Sequence, residues 1–344
     1  MNKRLLYFNL AIDKNDTSLA FTIDWLKTIG KNFEHVDVIS LRVDSEPLVN
    51  ENIKIYGIKK SNNKFEKYIY FLKVLKKLTI ENDYESCFSH MSPISIVLGY
   101  FYLIKNKIKI TLWFTHPGPK SGIKKLILYL AFLISKNVLT ASENSFPFRG
   151  NKVNVIGHAV NLTKFKYEEK TTPLNNFLIL SRISQSKNIE MSIKSFISSK
   201  ILNSSLDIIG GPLNNDDEIY FQYLKEKYQS KNINFIGKIN YQNLPEKLKK
   251  YDVNISSAGS GFFDKSVLET ISSGIINLYR NKDFNILFEN SEYFNFENES
   301  QLTEKIISIQ NLTNDDIKKT FNAVRKNLEL NSLETLNKRI ESYL

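Results

Sequence analysis

Segments typical of β-strands alternate with segments typical of α-helices along almost the whole chain. In the N-terminal half, apolar periodicity predicts strands at residues 4–10, 36–42, 53–58, 86–90, 108–114 and 138–142. Helices are predicted between them at residues 18–31, 65–80, 93–105 and 122–135. Parallel strands need long crossover connections, which are usually helices that cover both faces of the sheet. The alternation therefore predicts an α/β fold.

A second series of the same kind begins near residue 176. Its strands are predicted at residues 177–181, 206–210, 233–237, 253–257 and 275–279. Its helices are predicted at residues 189–198, 217–228, 244–251 and 265–273, and a helical tract is predicted from residue 314 onward. A chain of 344 residues exceeds what one hydrophobic core usually serves. The expected organisation is an N-terminal domain (1–165), a C-terminal domain (166–320) and a helix (321–344) that packs back toward the N-terminal domain.

The amino-acid composition indicates a globular protein without disulfides. Apolar residues make up 42% and charged residues 24% of the chain, as in soluble globular proteins. Cys87 is the single cysteine, so no internal disulfide is available and a cytoplasmic location is predicted. The first ten residues are predicted to form a strand, because no apolar core with a small-residue cleavage site follows them.

The net charge of +11 favours an anionic partner such as a phosphate or an acidic lipid surface, although a biased genome explains most single lysines equally well. No nucleic-acid partner is predicted. The apolar segments 94–104 and 126–134 are far shorter than the ~20 residues that span a bilayer. Burial inside the N-terminal domain is the favoured explanation for them. The alternative is peripheral docking on the anionic inner face of a cell membrane, with Lys124 and Lys125 beside the second segment.

Ligands of open α/β sheets bind outside the carboxyl ends of the strands, so the residues that follow each strand are the site candidates. Arg182 follows the strand at 177–181, and Lys187 begins the next helix. Cations beside a helix N-terminus suit a diphosphate, although two ordinary surface cations would give the same spacing. Gly210 and Gly211 follow the next strand and permit either close backbone approach to a ligand or a plain turn.

The loop and helix after the strand at 253–257 combine small residues with two charged ones. Glycines including Gly261 expose backbone N–H groups there, and Phe262 and Phe263 follow. Lys265 lies in the first turn of the helix and adds a cation for phosphate. Glu269 lies one turn further on and is either a ligand for ribose hydroxyls or an exposed helical glutamate.

The order of four segments along the chain resembles that in the donor-binding domain of the family 4 retaining glycosyltransferases (glycosyl transferases group 1). These segments are residues 177–187, 206–211, 233–237 and 253–274. Residues 153–165 are similar to the strand and interdomain crossing of that family. The resemblance implies a GT-B fold, in which two Rossmann-like domains face each other across a cleft and the C-terminal helix crosses back to the N-terminal domain.

The resemblance also implies roles for individual residues. Arg182 and Lys187 would bind the donor diphosphate and neutralise the leaving group, and Glu269 would hold the nucleotide ribose. Relatives carry a further glutamate eight positions before the second one, where it contacts the sugar. This chain has Gly261 there. Sugar contacts would then come from the backbone of residues 261–263 or from Lys265, and Gly211 would line the donor site.

In the N-terminal half, residues 112–118 resemble the family segment with a histidine that contacts the transferred sugar. His116 takes that position. A histidine at the carboxyl end of a strand, before Pro-Gly, is more often a site residue than a core residue. His90 also ends a predicted strand and is a weaker candidate for the acceptor side. Asp13 and Asp16 follow the first strand and would contact acceptor hydroxyls, unless they form a solvated loop.

The sequence thus predicts a metal-independent retaining transferase without a cofactor. It would move a hexose from a nucleotide-diphosphate sugar to a glycan or lipid-linked acceptor in polysaccharide or glycoconjugate synthesis. No Asp-x-Asp motif and no Cys/His cluster with zinc spacing is present.

Two alternatives stay open. The missing glutamate at Gly261 suits a non-catalytic nucleotide-sugar-binding subunit. A nucleotide-sugar epimerase of the same fold would need more acid/base carboxylates than the chain offers.

Overall fold

The computed structural model describes residues 3–16, 19–45, 49–57 and 63–344. Two compact units divide the chain. The first comprises Met1–Ala159 together with Leu333–Leu344, and the second comprises Val160–Ser332. Each unit contains a parallel sheet with helices between its strands, which confirms the predicted α/β class. The predicted start of a helix at residue 18 and end of a strand at residue 58 lie outside the described residues.

The N-terminal unit is built on a seven-stranded parallel sheet in the order β5-β3-β1-β6-β7-β8-β9, with β2 and β4 paired beside it. Its strands are β1 (Arg4–Asn9), β2 (Ile12–Asp13), β3 (His35–Ser40), β4 (Val43–Ser45), β5 (Ile53–Gly57), β6 (Ser86–His90), β7 (Lys109–Trp113), β8 (Asn137–Thr140) and β9 (Val153–Val155). Its first four helices are α1 (Thr22–Gly30), α2 (Lys64–Glu81), α3 (Pro93–Lys105) and α4 (Ile123–Ile134).

The strand order fixes the sides on which the helices lie. Parallel crossovers are almost always right-handed, so α2, α3 and α4 cover one face of the sheet and α1 the other. Every residue of β6 is buried, as expected for a central strand covered on both faces. Leu75, Ile96, Leu103 and Leu128 form part of the apolar core beneath α2, α3 and α4.

The C-terminal unit is built on a five-stranded parallel sheet in the order β12-β11-β10-β13-β14. Its strands are β10 (Asn176–Leu180), β11 (Ser205–Ile209), β12 (Ile233–Gly237), β13 (Val253–Ser256) and β14 (Ile276–Tyr279). Its helices are α5 (Ile189–Ser199), α6 (Asn215–Tyr228), α7 (Leu244–Leu248), α8 (Lys265–Ser272), α9 (Glu299–Ser308) and α10 (Asn314–Leu328). From β10 the chain moves outward to β11 and β12, and it then returns to β13 on the other side of β10.

The helical tract predicted from residue 314 onward is present but interrupted. Helix α10 ends at Leu328, Ser332 adopts extended backbone, and a separate short helix, α11 (Leu336–Ile340), follows. Helix α11 belongs to the N-terminal unit, where Leu336 is fully buried and the Asn337 side chain donates a hydrogen bond to the carbonyl of Thr28 (2.8 Å). The helix is interrupted because the chain passes from one unit to the other at this point. In the described ranges, no helix is long and apolar enough to cross a membrane.

Candidate functional site

The carboxyl ends of β10 and β13 lie side by side in the C-terminal sheet, although the two strands are far apart in sequence. The chain reverses its direction across the sheet between them, and such a switch point opens a crevice in which ligands bind. The loops that follow the two strands are joined by a hydrogen bond from the Asn188 side chain to the carbonyl of Ser257 (3.3 Å). The hydroxyls of Ser192 and Ser257 are also hydrogen-bonded, at 2.6 Å. The sequence-predicted donor residues are on these loops, on the loop after β11 and in the first turns of α8.

The glycine loop after β11 packs directly against the loop after β10. The Ile183 N–H donates to the carbonyl of Gly211 (3.1 Å). Gly210 has a φ of +142°, and a Cβ placed on it would lie 1.8 Å from the carbonyl oxygen of Ser181. Gly211 is similarly close to its neighbour, since a Cβ there would lie 2.7 Å from the Lys238 side chain. Glycine at position 210 therefore lets the loops after β10 and β11 approach each other, which a plain surface turn would not require.

Lys187 is buried, with only 8% of its surface exposed. Its ammonium lies 2.6 Å from both carboxylate oxygens of Asp264 and 4.4 Å from the centre of the Phe262 ring. Asp264 precedes α8 as its N-cap residue, yet its side chain makes no capping hydrogen bond to the helix. Lys187 is therefore not an ordinary surface cation. The ion pair fixes one positive charge between the loops after β10 and β13.

Arg182 is exposed near the start of the loop after β10. Among the residues that the structure describes, none accepts a hydrogen bond from its guanidinium. An arginine in this state offers five N–H donors in a planar fork, which matches the oxygens of a phosphate. Arg182 and Lys187 therefore differ: the first is an exposed cation, and the second is a buried cation with a carboxylate partner.

Lys265 and Glu269 form a second lysine–carboxylate pair in the first turns of α8. Both side chains are almost completely buried, and the Lys265 ammonium donates to the Glu269 carboxylate. The same ammonium is 3.1 Å from the Tyr241 hydroxyl and 4.4 Å from the centre of the Tyr241 ring. The alternative that Glu269 is an exposed surface residue is thus wrong. Its burial results from the position of α8 against the loop after β12, which contains Tyr241.

The loop from β13 to α8 has a backbone that suits glycine. Gly261 is buried and has a φ of +84°, a left-handed conformation that a glutamate adopts only with strain. The local backbone therefore favours the glycine at this position over a glutamate. Phe263 is also buried and stacks on Phe284 at 4.5 Å between ring centres. Phe262 is partly exposed and lies under the Lys187 ammonium.

In the N-terminal unit, His116 lies just after β7 and is exposed. Its backbone N–H donates to the carbonyl of Ser145 (2.7 Å), and its ring makes an edge contact with Phe114 at 6.2 Å between centres. Its exposure agrees with the interpretation of His116 as a site residue and not a core residue. Whether it contacts a sugar stays a prediction.

His90, at the end of β6, is completely buried. Its ring packs against Trp25, Phe21, Phe88 and Trp113 at 5.0 to 6.4 Å between centres. In the described part of the chain neither ring nitrogen has a hydrogen-bond partner, and burial lowers the pKa of His90 to about 3. His90 is thus a neutral histidine within an aromatic cluster.

The two acidic residues after β1 are structured. Asp13 accepts a hydrogen bond from the Asn15 N–H (2.9 Å). Asp16 forms an ion pair with Arg42 at 2.5 Å and accepts from the Leu19 N–H (2.8 Å). Both carboxylates thus stabilise the turn in which they lie, and their contact with an acceptor stays a prediction.

Two residues of the site were missed by reasoning from the sequence. In the sequence Asp264 resembles an ordinary N-cap residue. Only the structure shows that its carboxylate is the ion-pair partner of Lys187. Tyr241 follows the carboxyl end of the edge strand β12, but a single tyrosine in a polar segment gives no specific signal. Within the described residues, no group of three or more His, Cys, Asp or Glu side chains is arranged to hold a metal ion.

Comparison with known proteins finds a family that matches the segment containing this site. Residues 161–322 match the family described as glycosyl transferases group 1. They comprise most of the C-terminal unit and include all the residues of the switch-point site. A search of curated proteins finds no match.

Solved structures resemble the chain over its whole length. Sucrose-phosphate synthase from Thermosynechococcus elongatus has 12% identity and a TM-score of 0.79, with 99% of this chain and 98% of that chain covered. HepE from Anabaena, in complex with UDP and glucose, has 13% identity, a TM-score of 0.75 and the same coverage. A glycosyltransferase from Rickettsia africae has 17% identity and a TM-score of 0.73, with 100% and 98% covered. At these identities the likeness establishes the GT-B fold.

Proposed function

We propose that the chain is a retaining glycosyltransferase that moves a hexose from a nucleotide-diphosphate sugar to a glycan or lipid-linked acceptor. The observation that carries this proposal is the arrangement of charged side chains at the switch point of the C-terminal sheet. Lys187, Arg182 and Lys265 lie on the loops and helix that follow β10 and β13. Such a concentration of cations at parallel strand ends suits a diphosphate.

Each donor group is assigned to a side chain with suitable chemistry. Arg182 and Lys187 bind the diphosphate, with the exposed guanidinium able to contact two oxygens at once. Glu269 accepts hydrogen bonds from the ribose hydroxyls, and Lys265 balances its charge while buried. The backbone of residues 261–263 and the loop at Gly211 complete the donor site.

The chemical step breaks the bond between the anomeric carbon and the diphosphate oxygen. The bonding electrons go to that oxygen, and the acceptor hydroxyl bonds to the anomeric carbon on the same face from which the diphosphate leaves. The proton of the hydroxyl passes to the departing diphosphate oxygen. Negative charge therefore develops on the diphosphate in the transition state. Arg182 and Lys187 stabilise it there, and fixed cations of this kind are effective because they need little reorganisation. The proposal uses no metal ion, since these side chains supply the positive charge.

Groups of the N-terminal unit are assigned on the family resemblance. His116 is proposed to contact the transferred sugar, and Asp13 and Asp16 to contact the acceptor. His90 is not carried into the proposal, because it is completely buried.

The donor to test first is UDP-glucose. HepE from Anabaena has been solved in complex with UDP-glucose and with UDP and glucose together. GDP- and ADP-sugars complete the panel, because the donor base is read by loop backbone and packing that differ between relatives.

The stereochemistry can be tested without knowing the acceptor. Many transferases hydrolyse their donor slowly, so the anomer of the released sugar is followed by proton NMR before mutarotation. Because UDP-glucose carries an α-linked sugar, retention predicts that α-glucose appears first. Initial release of β-glucose would rule out the retaining assignment.

The same experiment separates the alternatives. Donor binding without hydrolysis or transfer to any of a broad set of acceptors would indicate a non-catalytic subunit, which the glycine at position 261 favours. Conversion of the donor into another nucleotide sugar would indicate an epimerase. Lys187→Ala and Glu269→Ala should both slow turnover. If both variants consume donor at the wild-type rate, the residue assignment is wrong.

A further inference from the structure

The two helices α3 and α4 leave apolar side chains exposed on the outer face of the N-terminal unit. On α3, Phe101 is 66% and Ile104 is 49% exposed. On α4, Ile123, Leu126 and Leu133 are 67%, 50% and 52% exposed. Helix α3 packs beside α4, so these side chains belong to one surface, called here the α3–α4 surface.

Burial in the domain, the explanation favoured by the sequence, accounts for only the inner sides of these helices. Leu103 of α3 and Leu128 and Ala131 of α4 are buried in the core. Each helix thus has an apolar side toward the sheet and further apolar residues toward the outside. A helix that only covers a sheet has polar residues on its outer side. The outer apolar residues therefore need a different partner.

The charge of this region is entirely positive. Between Glu85 and Glu143 the chain contains no aspartate or glutamate. It contains seven lysines there, and every one of them is exposed: Lys105, Lys107, Lys109, Lys120, Lys124, Lys125 and Lys136. Two of them, Lys124 and Lys125, lie in the first turn of α4. The net charge of +11 is therefore concentrated in part on the same elements that expose apolar side chains.

We propose that the α3–α4 surface docks on an anionic lipid bilayer. Exposed apolar side chains flanked by lysines are the combination by which helices lie in a membrane interface, with the apolar groups at the acyl boundary and the lysines at the headgroups. Both helices are far too short to cross the bilayer. The bilayer is favoured over a second copy of this chain, because two such surfaces would bring together the lysines of residues 86–142, a segment that contributes no acidic group to pair with them.

This inference is independent of the proposed transferase reaction, since it rests on the described residues of the N-terminal unit alone. It does agree with a lipid-linked acceptor, which would be presented at such a surface.

Co-sedimentation with vesicles tests the proposal. The full chain should bind vesicles that contain phosphatidylglycerol at low salt. It should bind pure phosphatidylcholine vesicles much more weakly, and its binding should fall as salt is raised. Lys124→Gln with Lys125→Gln should lower the partition coefficient about 30-fold, the effect of about 1 kcal/mol for each lysine. The matched control is Lys318→Gln with Lys319→Gln, an exposed pair on α10, and it should bind like the wild type.

A second pair of variants tests the apolar part. Phe101→Ser with Leu126→Ser should lower the partition coefficient by roughly tenfold or more, since each side chain loses apolar contact with the bilayer. Leu202→Ser, at a residue 83% exposed in the C-terminal unit, should have no effect. All substituted side chains are exposed, so melting temperatures without vesicles should stay at the wild-type value.

Three results would overturn the proposal. The first is no binding of the wild type to phosphatidylglycerol vesicles at low salt. The second is an equal loss of binding in the control variants. The third is a concentration-dependent dimer in sedimentation equilibrium that Phe101→Ser with Leu126→Ser dissociates, because the surface would then be a contact between copies of the chain.

Discussion

Lys187 and Asp264 are separated by 77 positions in the sequence and joined at 2.6 Å in the fold. A buried ammonium is costly without a partner, and the carboxylate supplies one before any ligand arrives. When a diphosphate binds, Lys187 must interact with it while the Asp264 carboxylate is close by. The role we propose for Asp264 is to hold Lys187 in place at the cost of some electrostatic attraction for the donor.

Lys265 and Glu269 repeat this arrangement one turn into α8. Each pair combines a cation and an anion that are buried or largely buried, so the local net charge comes from Arg182, whose guanidinium is exposed. At the scale of single residues, the site therefore depends most on Arg182 for its attraction of an anion and on Lys187 for its geometry.

His90 provides a test of the aromatic cluster in the N-terminal unit. Its folded-state pKa is about 3, whereas an unfolded histidine titrates near 6.5. As the pH falls below about 6.5, the unfolded chain takes up a proton that folded His90 does not. The free energy of unfolding must therefore decrease with falling pH, by about 2 kcal/mol for this group between pH 7 and pH 5.

The measurement is urea unfolding followed by tryptophan fluorescence. Both tryptophans of the chain, Trp25 and Trp113, contact His90 and so report on this cluster. His90→Phe, which retains a ring of similar size, should lose less stability than the wild type when the pH is lowered from 7 to 5. An identical loss in both proteins would contradict the burial of a neutral His90.

At the scale of elements, the site depends on how closely the strand-end loops approach each other. The loops after β10 and β11 are in direct contact at Gly210, and the loops after β10 and β13 are joined through Asn188 and Ser257. Helix α8 then brings Lys265 and Glu269 against Tyr241 from the loop after β12. The residues of the site are thus held by one close backbone approach, at Gly210, and by side-chain hydrogen bonds from Asn188 and Lys265.

Alanine substitutions at two glycines test whether the loops after β10 and β11 are in close contact. Gly210→Ala would place a methyl group 1.8 Å from the Ser181 carbonyl at a φ that alanine avoids, so we expect a loss of at least about 2 kcal/mol in the free energy of unfolding. Gly259→Ala is the control, because nothing lies within 4 Å of the added methyl group. Chemical denaturation of both variants checks this expectation. Equal stability of the two variants would show that the β10 and β11 loops do not approach as described.

At the scale of the whole molecule, the sequence was sufficient for the fold class and for the position of most elements, although β2, β4 and α9 were not predicted. The two strand-and-helix series appear as two parallel sheets, and the predicted strands lie within one or two residues of their observed bounds. This succeeded because strands buried on both faces form continuous apolar runs such as that of β1. The expected division into two units followed from the length of the chain and from the second strand-and-helix series.

Contacts between distant segments could not be predicted from the sequence. The pairing of Lys187 with Asp264 depends on β10 lying beside β13, and no local pattern encodes that neighbour. The burial of Glu269 depends on α8 packing against another loop. The return of α11 to the N-terminal unit was expected, but the break near Ser332 that allows it was not, because helical propensity continues through the segment. The exposed side of α3 and α4 was assigned to the core for the same reason: apolar composition does not reveal which face has a partner.

The central claim is that the switch point of the C-terminal sheet binds a nucleotide-diphosphate sugar through Arg182. Isothermal titration with UDP-, GDP- and ADP-sugars at low ionic strength tests it most directly, with the wild type compared with Arg182→Ala and Lys225→Ala. Lys225 is an exposed cation on α6, so its variant controls for the loss of one charge.

The account predicts that the wild type binds at least one donor. Arg182→Ala should bind that donor roughly 10- to 100-fold more weakly, as expected for lost charge-assisted hydrogen bonds of about 1.5–3 kcal/mol. Lys225→Ala should bind like the wild type, and all three proteins should melt at the same temperature. Binding of no donor by the wild type, or donor binding by Arg182→Ala with wild-type affinity, would contradict the account.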